Sequence, residues 1–225
     1  MRLPSPDHLW ERHEKLILNI FLKALLKLKD KESIQEDETT LNERLYIHVR
    51  SVYLGLSYKQ RPLSFVKRNS EIPPRNMDEV GKPWTKKKPD FQWELIDNSE
   101  TASQKMIKEY TIECKRLAEK TSAGRNFINE YVIRGINRFV SKEHSYSIGS
   151  KSGAMIGYVQ NIENEEALRQ INSVIRAENR YNIPEIKFNN IQDAVHIRRG
   201  NHTLKRKEIN PSNFDLRHIW VELMN

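Results

Sequence analysis

Two short stretches of the 225-residue chain combine residue types that can do chemistry together. One is Pro89-Asp90 and the other is Glu113-Cys114-Lys115. Two carboxylates supply the oxygen ligands that a hard divalent cation takes, and an ammonium beside them can offset negative charge developing on a reacting group. These residues can act together only if the chain folds them onto one spot, and the local pattern provides for that. Proline is tolerated where a strand begins and breaks the middle of one. After Pro89, the residues Phe91, Trp93 and Leu95 alternate with Asp90, Gln92 and Glu94, the period-2 pattern of a half-buried strand. Asp97-Asn98-Ser99 is turn chemistry. A second alternation sets Tyr110, Ile112 and Cys114 against Thr111, Glu113 and Lys115. If the two strands pair, Asp90 lies next to Glu113 on the polar face and Cys114 points into the core. On the residues alone, the same pattern also fits a surface hairpin with one cross-strand ion pair.

The flanking chain reads as a sequence of positioning elements. Residues 7–29 form a helix with Asp7 as N-cap. Its apolar residues cover a broad arc, with Ile17, Ile20 and Leu26 widening the Leu18, Phe21, Leu22, Leu25, Leu28 stripe. Such a helix is either wedged between two layers of its own chain or docked on a second subunit or partner protein. A polar linker, KDKESIQEDETT, leads to a second helix at about 41–58 capped by Thr39 or Thr40, its stripe being Leu41, Leu45, His48, Val49 and Val52. Residues 59–85 are broken by Pro62, Pro73, Pro74 and Pro83, with room for a short strand near 63–67. Residues 126–140 repeat at helical spacing, and Gly135 inside them indicates close packing on a sheet. Tyr131 reads as core. Residues 154–159 are a nearly continuous apolar run, as expected of a buried parallel strand after a crossover helix. A helix at 163–178 follows, then strands at 194–199 and 214–224. Pairing of those two strands would bring His196 and His218 together, and His196 and Arg198 would join Lys205-Arg206-Lys207 as a basic wall.

The composition narrows the class. A chain of this length is one domain that can bury a real core. Its formal charge of +8, on a chain 30% charged, favours nucleic acid or another polyanion. A single cysteine allows no internal disulfide, and no Cys/His spacing fits zinc. The opening MRLPSPDHLW lacks the apolar run of a signal peptide, and residues 16–28 are too short to span a bilayer. No membrane association and a cytoplasmic location are expected. There is no P-loop and no Gly-x-Gly-x-x-Gly, which disfavours a nucleotide-binding enzyme.

Pro89, Asp90, Glu113 and Lys115, with Cys114 as the variable position, resemble the PD-(D/E)XK nuclease superfamily. The run from Tyr131 through Arg138-Phe139 to Met155–Val159 further resembles small nucleases of bacterial antiviral defence clusters. The resemblance implies a mixed α/β, restriction-endonuclease-like αβββαβ core at 38–162. Residues 1–37 would be an N-terminal helix and linker, and 163–225 a C-terminal helix and β-hairpin, all within one domain. It implies a DNA-cutting enzyme dependent on Mg²⁺ or Mn²⁺. Asp90 and Glu113 would be metal ligands, the Cys114 carbonyl a third, and Lys115 the residue that orients the attacking water. A further ligand is expected from the first core helix: Glu43 first, Glu38 as the runner-up. Lys86, Lys87, Lys88, Arg125, Arg138, His196 and Arg198 would contact phosphates without reading sequence. The competing reading is a non-catalytic subunit that binds nucleic acid or a partner on a nuclease-like fold.

Overall fold

The computed structural model describes residues 6–29, 36–62, 64–97, 101, 106–121, 124–188 and 196–223. The Asn98-Ser99 turn and the 189–195 approach to the hairpin lie outside these. Helices α1 (Pro6–Lys29) and α2 (Glu38–Gly55) come first. Strands β1 (Lys67–Arg68), β2 (Phe91–Ile96) and β3 (Ile107–Leu117) follow. A crossover helix, α3 (127–140), leads to β4 (Ser152–Val159) and α4 (Asn164–Ala177). The chain ends on β5 (Lys187–Phe188), β6 (Ile197–Lys205) and β7 (Asn213–Glu222). All the strands belong to one mixed sheet in the order β1-β2-β3-β4-β7-β6-β5. The expected mixed α/β class is what the chain adopts.

One face of the sheet carries α1 and α2. Ile17, Ile20, Phe21, Ala24, Leu25 and Leu28 are all buried, a spacing of three and four that makes one helical face. Each of the Ile, Leu and Phe side chains contributes about 1.5–3 kcal/mol on burial. Leu18, Leu22 and Leu26 flank that face and are partly buried against the same core. The wide apolar arc is therefore used inside the chain, with Phe21 and Leu25 in the core rather than on a docking face. Polar contacts pin α1 to the sheet: Trp10 Nε1 donates to Ser152 Oγ at 2.8 Å, and Arg217 grips Glu14 at 2.9 Å.

The opposite face is covered by α3, α4 and the irregular segment 69–88, which contributes Ile72 and Trp84 to a second core. Between them the two layers bury residues 109–115 of β3 completely. The half-buried strand pattern was thus only half the truth, because the polar face is covered too. In the middle of α3, Val132–Ile136 forms a π-turn. A Cβ at Gly135 would lie 2.5 Å from Met155 Cε and 3.5 Å from Lys115 Cγ, so glycine allows the helix to approach β4 this closely. Among the described residues, no helix is long and apolar enough to cross a membrane.

Candidate functional site

Strand β3 changes partner along its length. It pairs antiparallel with β2 from Ile107 to Ile112, then parallel with β4 from Ile112 to Leu117. Only Ile112 has strand partners on both sides. Each half of β3 therefore leaves backbone groups on one edge that need other partners. On the β4 side, Ser150 Oγ accepts from the Glu109 amide at 2.9 Å and Ser147 Oγ from the Thr111 amide at 3.2 Å. On the β2 side, Asp90, the residue just before β2, accepts the Cys114 amide on Oδ2 at 2.7 Å. The register Phe91↔Ile112 continues to bring Asp90 beside Glu113, as expected from the alternation. The site sits where the pairing of β3 changes from antiparallel to parallel.

Around Asp90 the side chains close into a network. Its Oδ1 accepts from Asn42 Nδ2 at 2.9 Å, and Asn42 Oδ1 accepts from the Tyr158 hydroxyl at 2.8 Å. Lys115 Nζ lies 2.7 Å from Glu38 Oε1, 2.9 Å from Glu113 Oε1 and 2.8 Å from the Cys114 carbonyl oxygen. Arg138 Nη1 reaches Glu113 Oε1 at 2.5 Å and also approaches the Tyr146 hydroxyl at 3.4 Å. Glu113 Oε2 is buried without a hydrogen-bond partner. Three carboxyl groups, of Glu38, Asp90 and Glu113, thus surround two cations.

The electrostatics follow from enclosure. Burial, and then the charge of Glu113, hold the Asp90 carboxyl well above its ordinary value. Burial also raises Glu113, against the opposing pull of Lys115 and Arg138. For Lys115, burial works against the charge, but Glu113, Glu38 and Asp90 together outweigh it and hold the ammonium protonated.

Asp90 and Glu113 are oxygen donors of the type a hard divalent cation takes. Magnesium needs only one or two protein carboxylates, the remaining positions going to water and substrate oxygens. Asp90 and Glu113 are two such carboxylates at one spot, one of them with an unsatisfied buried oxygen. Among the described residues, no three His, Cys, Asp or Glu side chains converge as a metal group. The Cys114 carbonyl, expected as a third ligand, already accepts from Lys115.

Other expected residues fall elsewhere. Glu43 does not reach the site. It is exposed and pairs with Arg68 at 3.1 Å. Glu38 is the helix glutamate at the centre, because α2 begins at Glu38, with Asp37 as the N-cap accepting from the Thr40 amide. Five residues at about 100° each turn Glu43 well away from Glu38. Of the phosphate-contact candidates, Arg138 is engaged with Glu113, and Arg125 pairs with Glu130 at 2.8 Å and lies over the Phe127 ring. Lys87 pairs with Glu143 at 3.0 Å, Lys88 lies 3.6 Å from Glu71, and Lys86 is exposed on the turn before β2.

His196 and Arg198 are not at the site. The register Ile197↔Val221 puts His196 against Glu222, and Arg198 pairs with Glu165. Strand β6 is three positions from β3 in the sheet, about 14 Å at ordinary strand spacing. His218 neighbours His202, not His196, because β6 continues to Lys205. His218 is buried, with Nδ1 2.8 Å from the hydroxyl of Tyr131, itself core as expected. Arg206, expected on a basic wall, is buried and donates to the carbonyls of Tyr146, Ser147 and Ser150. It ties down the loop whose serines satisfy β3, and its burial lowers its pKa to about 9.

The sequence reading missed Asn42 and the clamp of Arg138 on Glu113. Asn42 had a signal: it lies one turn after Glu38, at the margin of the Leu41, Leu45, Val49 stripe, and is buried. In comparisons with known proteins, no family model, no curated protein and no solved structure matches this chain.

Proposed function

We propose that this chain is a metal-dependent phosphodiester hydrolase acting on nucleic acid, with DNA as its first substrate. The observation that carries the reading is the convergence of Asp90, Glu113 and Lys115 where β3 passes from β2 to β4. The order α2, β1, β2, β3, α3, β4 also follows the helix, three strands, helix, strand sequence of the restriction-endonuclease-like core. A bound Mg²⁺ or Mn²⁺ would polarise a phosphoryl oxygen and acidify a water. Asp90 and Glu113 would hold it. Lys115, kept charged by its carboxylate neighbours, donates to an oxygen beside them and offsets negative charge there. Glu38 aims that ammonium and is a positioning residue in this scheme. Arg138 keeps Glu113 in place from the α3 side.

The test is incubation of the purified chain with plasmid, single-stranded DNA and RNA, in Mg²⁺ and in EDTA. Cutting in Mg²⁺ that stops in EDTA and in Glu113→Gln supports the reading, and cutting that survives either overturns it. A second reading, a nucleic-acid-binding subunit without catalysis, is favoured by one feature: Lys115 and Arg138 already satisfy much of the carboxylate charge. It predicts salt-dependent binding without cutting in any divalent metal.

A further inference from the structure

A surface pocket of about 300 Å³ opens where α3 ends, lined among others by Lys142, Glu143, Arg180, Tyr181, Lys205 and Lys207. Its charge is lopsided. Four cations (Lys142, Arg180, Lys205, Lys207) share it with two carboxylates, Glu143 and Glu208. Both carboxylates are already engaged: Glu208 with Lys142 at 2.6 Å, and Glu143 with Lys87 at 3.0 Å. Lys205 donates to the neutral Asn213. The side chains of Arg180 and Lys207 are exposed; the charge of Arg180 helps lower the Glu143 carboxyl after the larger effect of Lys87, and its backbone amide donates to Glu178 Oε1 at 3.3 Å. Arg180 also lies over the ring of the partly buried Tyr181, 5.1 Å from its centroid. Exposed cations, one of them stacked on an aromatic ring, are a combination that can take the phosphates of a nucleic-acid strand.

The pocket is placed to serve the candidate site. Lys142 comes four residues after Arg138, which holds Glu113, in the turn that follows the end of α3 at Val140. Lys87, from the segment just before Asp90, bridges the interval through Glu143.

We infer that this pocket is a phosphate subsite for the strand flanking the bond held at Asp90 and Glu113, with Arg180 and Lys207 as its anion contacts. The inference rests on the nuclease reading for its purpose, but binding tests it independently of cutting. The probe is a fluorescein-labelled single-stranded oligodeoxynucleotide, titrated in EDTA and followed by anisotropy. Arg180→Glu/Lys207→Glu should bind at least tenfold more weakly than the unaltered chain. Its plot of log affinity against log salt should be shallower by about 1.4, the loss of two single-strand phosphate contacts. Both residues are exposed, so folding is checked simply by an unchanged melting temperature. Lys15→Glu/Lys59→Glu, on exposed residues of α1 and of the turn after α2, makes the same charge change as a control. An affinity that falls less than twofold, or equally in the control, overturns the subsite. A chain that cuts nothing but loses binding in the first variant keeps the subsite and loses the nuclease. A chain that cuts while its affinity ignores Arg180 and Lys207 does the reverse.

Discussion

The two faces of β3 are built to different ends. Tyr110, Ile112 and Cys114 point to α1 and α2 and join an apolar core of interlocking rings, with Phe21 edge-on to both Phe91 and Trp93. Glu109, Thr111, Glu113 and Lys115 alternate with them and are equally buried under segment 69–88 and α3. On that second face Gln92 Oε1, both Glu109 carboxylate oxygens, Thr111 Oγ1 and Glu113 Oε2 have no hydrogen-bond partner among protein groups. Burying polar atoms unpaired opposes folding by about 1–3 kcal/mol each. An apolar strand face would be more stable here. Stability therefore does not explain the second face, whereas it fully explains the first. Buried water is the ordinary way such atoms are satisfied.

Exchanging one residue on each face gives the sharpest break in this comparison. On the polar face, Glu113→Gln removes a charge without changing shape. It should lower Mg²⁺-dependent cleavage by at least about 10³-fold, roughly 4 kcal/mol in the barrier, with a urea midpoint no lower than that of the unaltered chain. On the apolar face, Phe21→Ala should lose about 3–5 kcal/mol of stability through lost burial and a cavity, and leave the residual folded fraction active. Cleavage rates with a DNA substrate and urea unfolding of both variants decide it. If Phe21→Ala is fully stable, α1 is not the core helix described. If Glu113→Gln cuts normally, the polar face has another purpose.

The apolar face was the more legible one. The 3.6 period of α1 and the unbroken apolar run of β4 announce themselves, because burial on one side imposes a periodicity. The adjacency of Asp90 and Glu113 was legible as well, since period-2 alternation and a turn fix a register. The cover of the polar face was not. Segment 69–88 has no period, its prolines forbid one, and nothing local says that Trp84 and Ile72 will roof Glu109–Lys115. The choice of Glu38 over Glu43 depended on which residue starts α2. That was settled by the Asp37 side chain rather than by the Thr39 or Thr40 hydroxyl. The His196–His218 pairing failed because polar residues such as Asn201 and Thr203 hid six more residues of β6, 200–205. Arg206 was misplaced because an arginine is rarely this buried, and the inward-turned carbonyls of Tyr146, Ser147, Ser150 and Pro211 make it possible.

Glu109 tests the polar face by pH. Burial, and then the neighbouring charge of Glu94, raise its carboxyl from the ordinary 4.5 to about 7. The folded chain thus holds the proton more tightly than the unfolded one. The stability this gives is complete below pH 4.5 and is lost as pH rises through about 7, a difference of at most about 3 kcal/mol. Glu109→Gln keeps the shape of the protonated form and never ionises. It should raise the urea midpoint at pH 8, and the advantage should shrink steadily towards pH 5. A gain of equal size at both pH values would mean that Glu109 is already paired, by water or by Arg75, and that this end of the polar face is not strained.

The smallest effect separates the two glutamates of α2. Glu43 is 57% exposed at its side chain and pairs with Arg68 across solvent. Such a pair contributes about 0–1 kcal/mol, so Glu43→Ala should leave both stability and cleavage within error of the unaltered chain. Glu38 lies against the buried Lys115 ammonium, whose side chain is 7% exposed. Glu38→Gln keeps a hydrogen-bond acceptor beside Lys115 but removes one of the charges that hold it protonated and aimed. If Glu38 is a positioning residue, this variant should lower kcat by about tenfold, leave KM nearly unchanged, and be partly rescued by Glu38→Asp, the same charge on a shorter arm. If Glu38 were instead a ligand to the cation, Glu38→Gln should raise the Mg²⁺ concentration needed for half-maximal rate while high Mg²⁺ restores kcat. Titrating Mg²⁺ against rate in Glu38→Gln and Glu43→Ala tells these apart. A Glu43→Ala chain that needs more Mg²⁺ than Glu38→Gln would move the site to the other side of α2 and undo the geometry on which the reading depends.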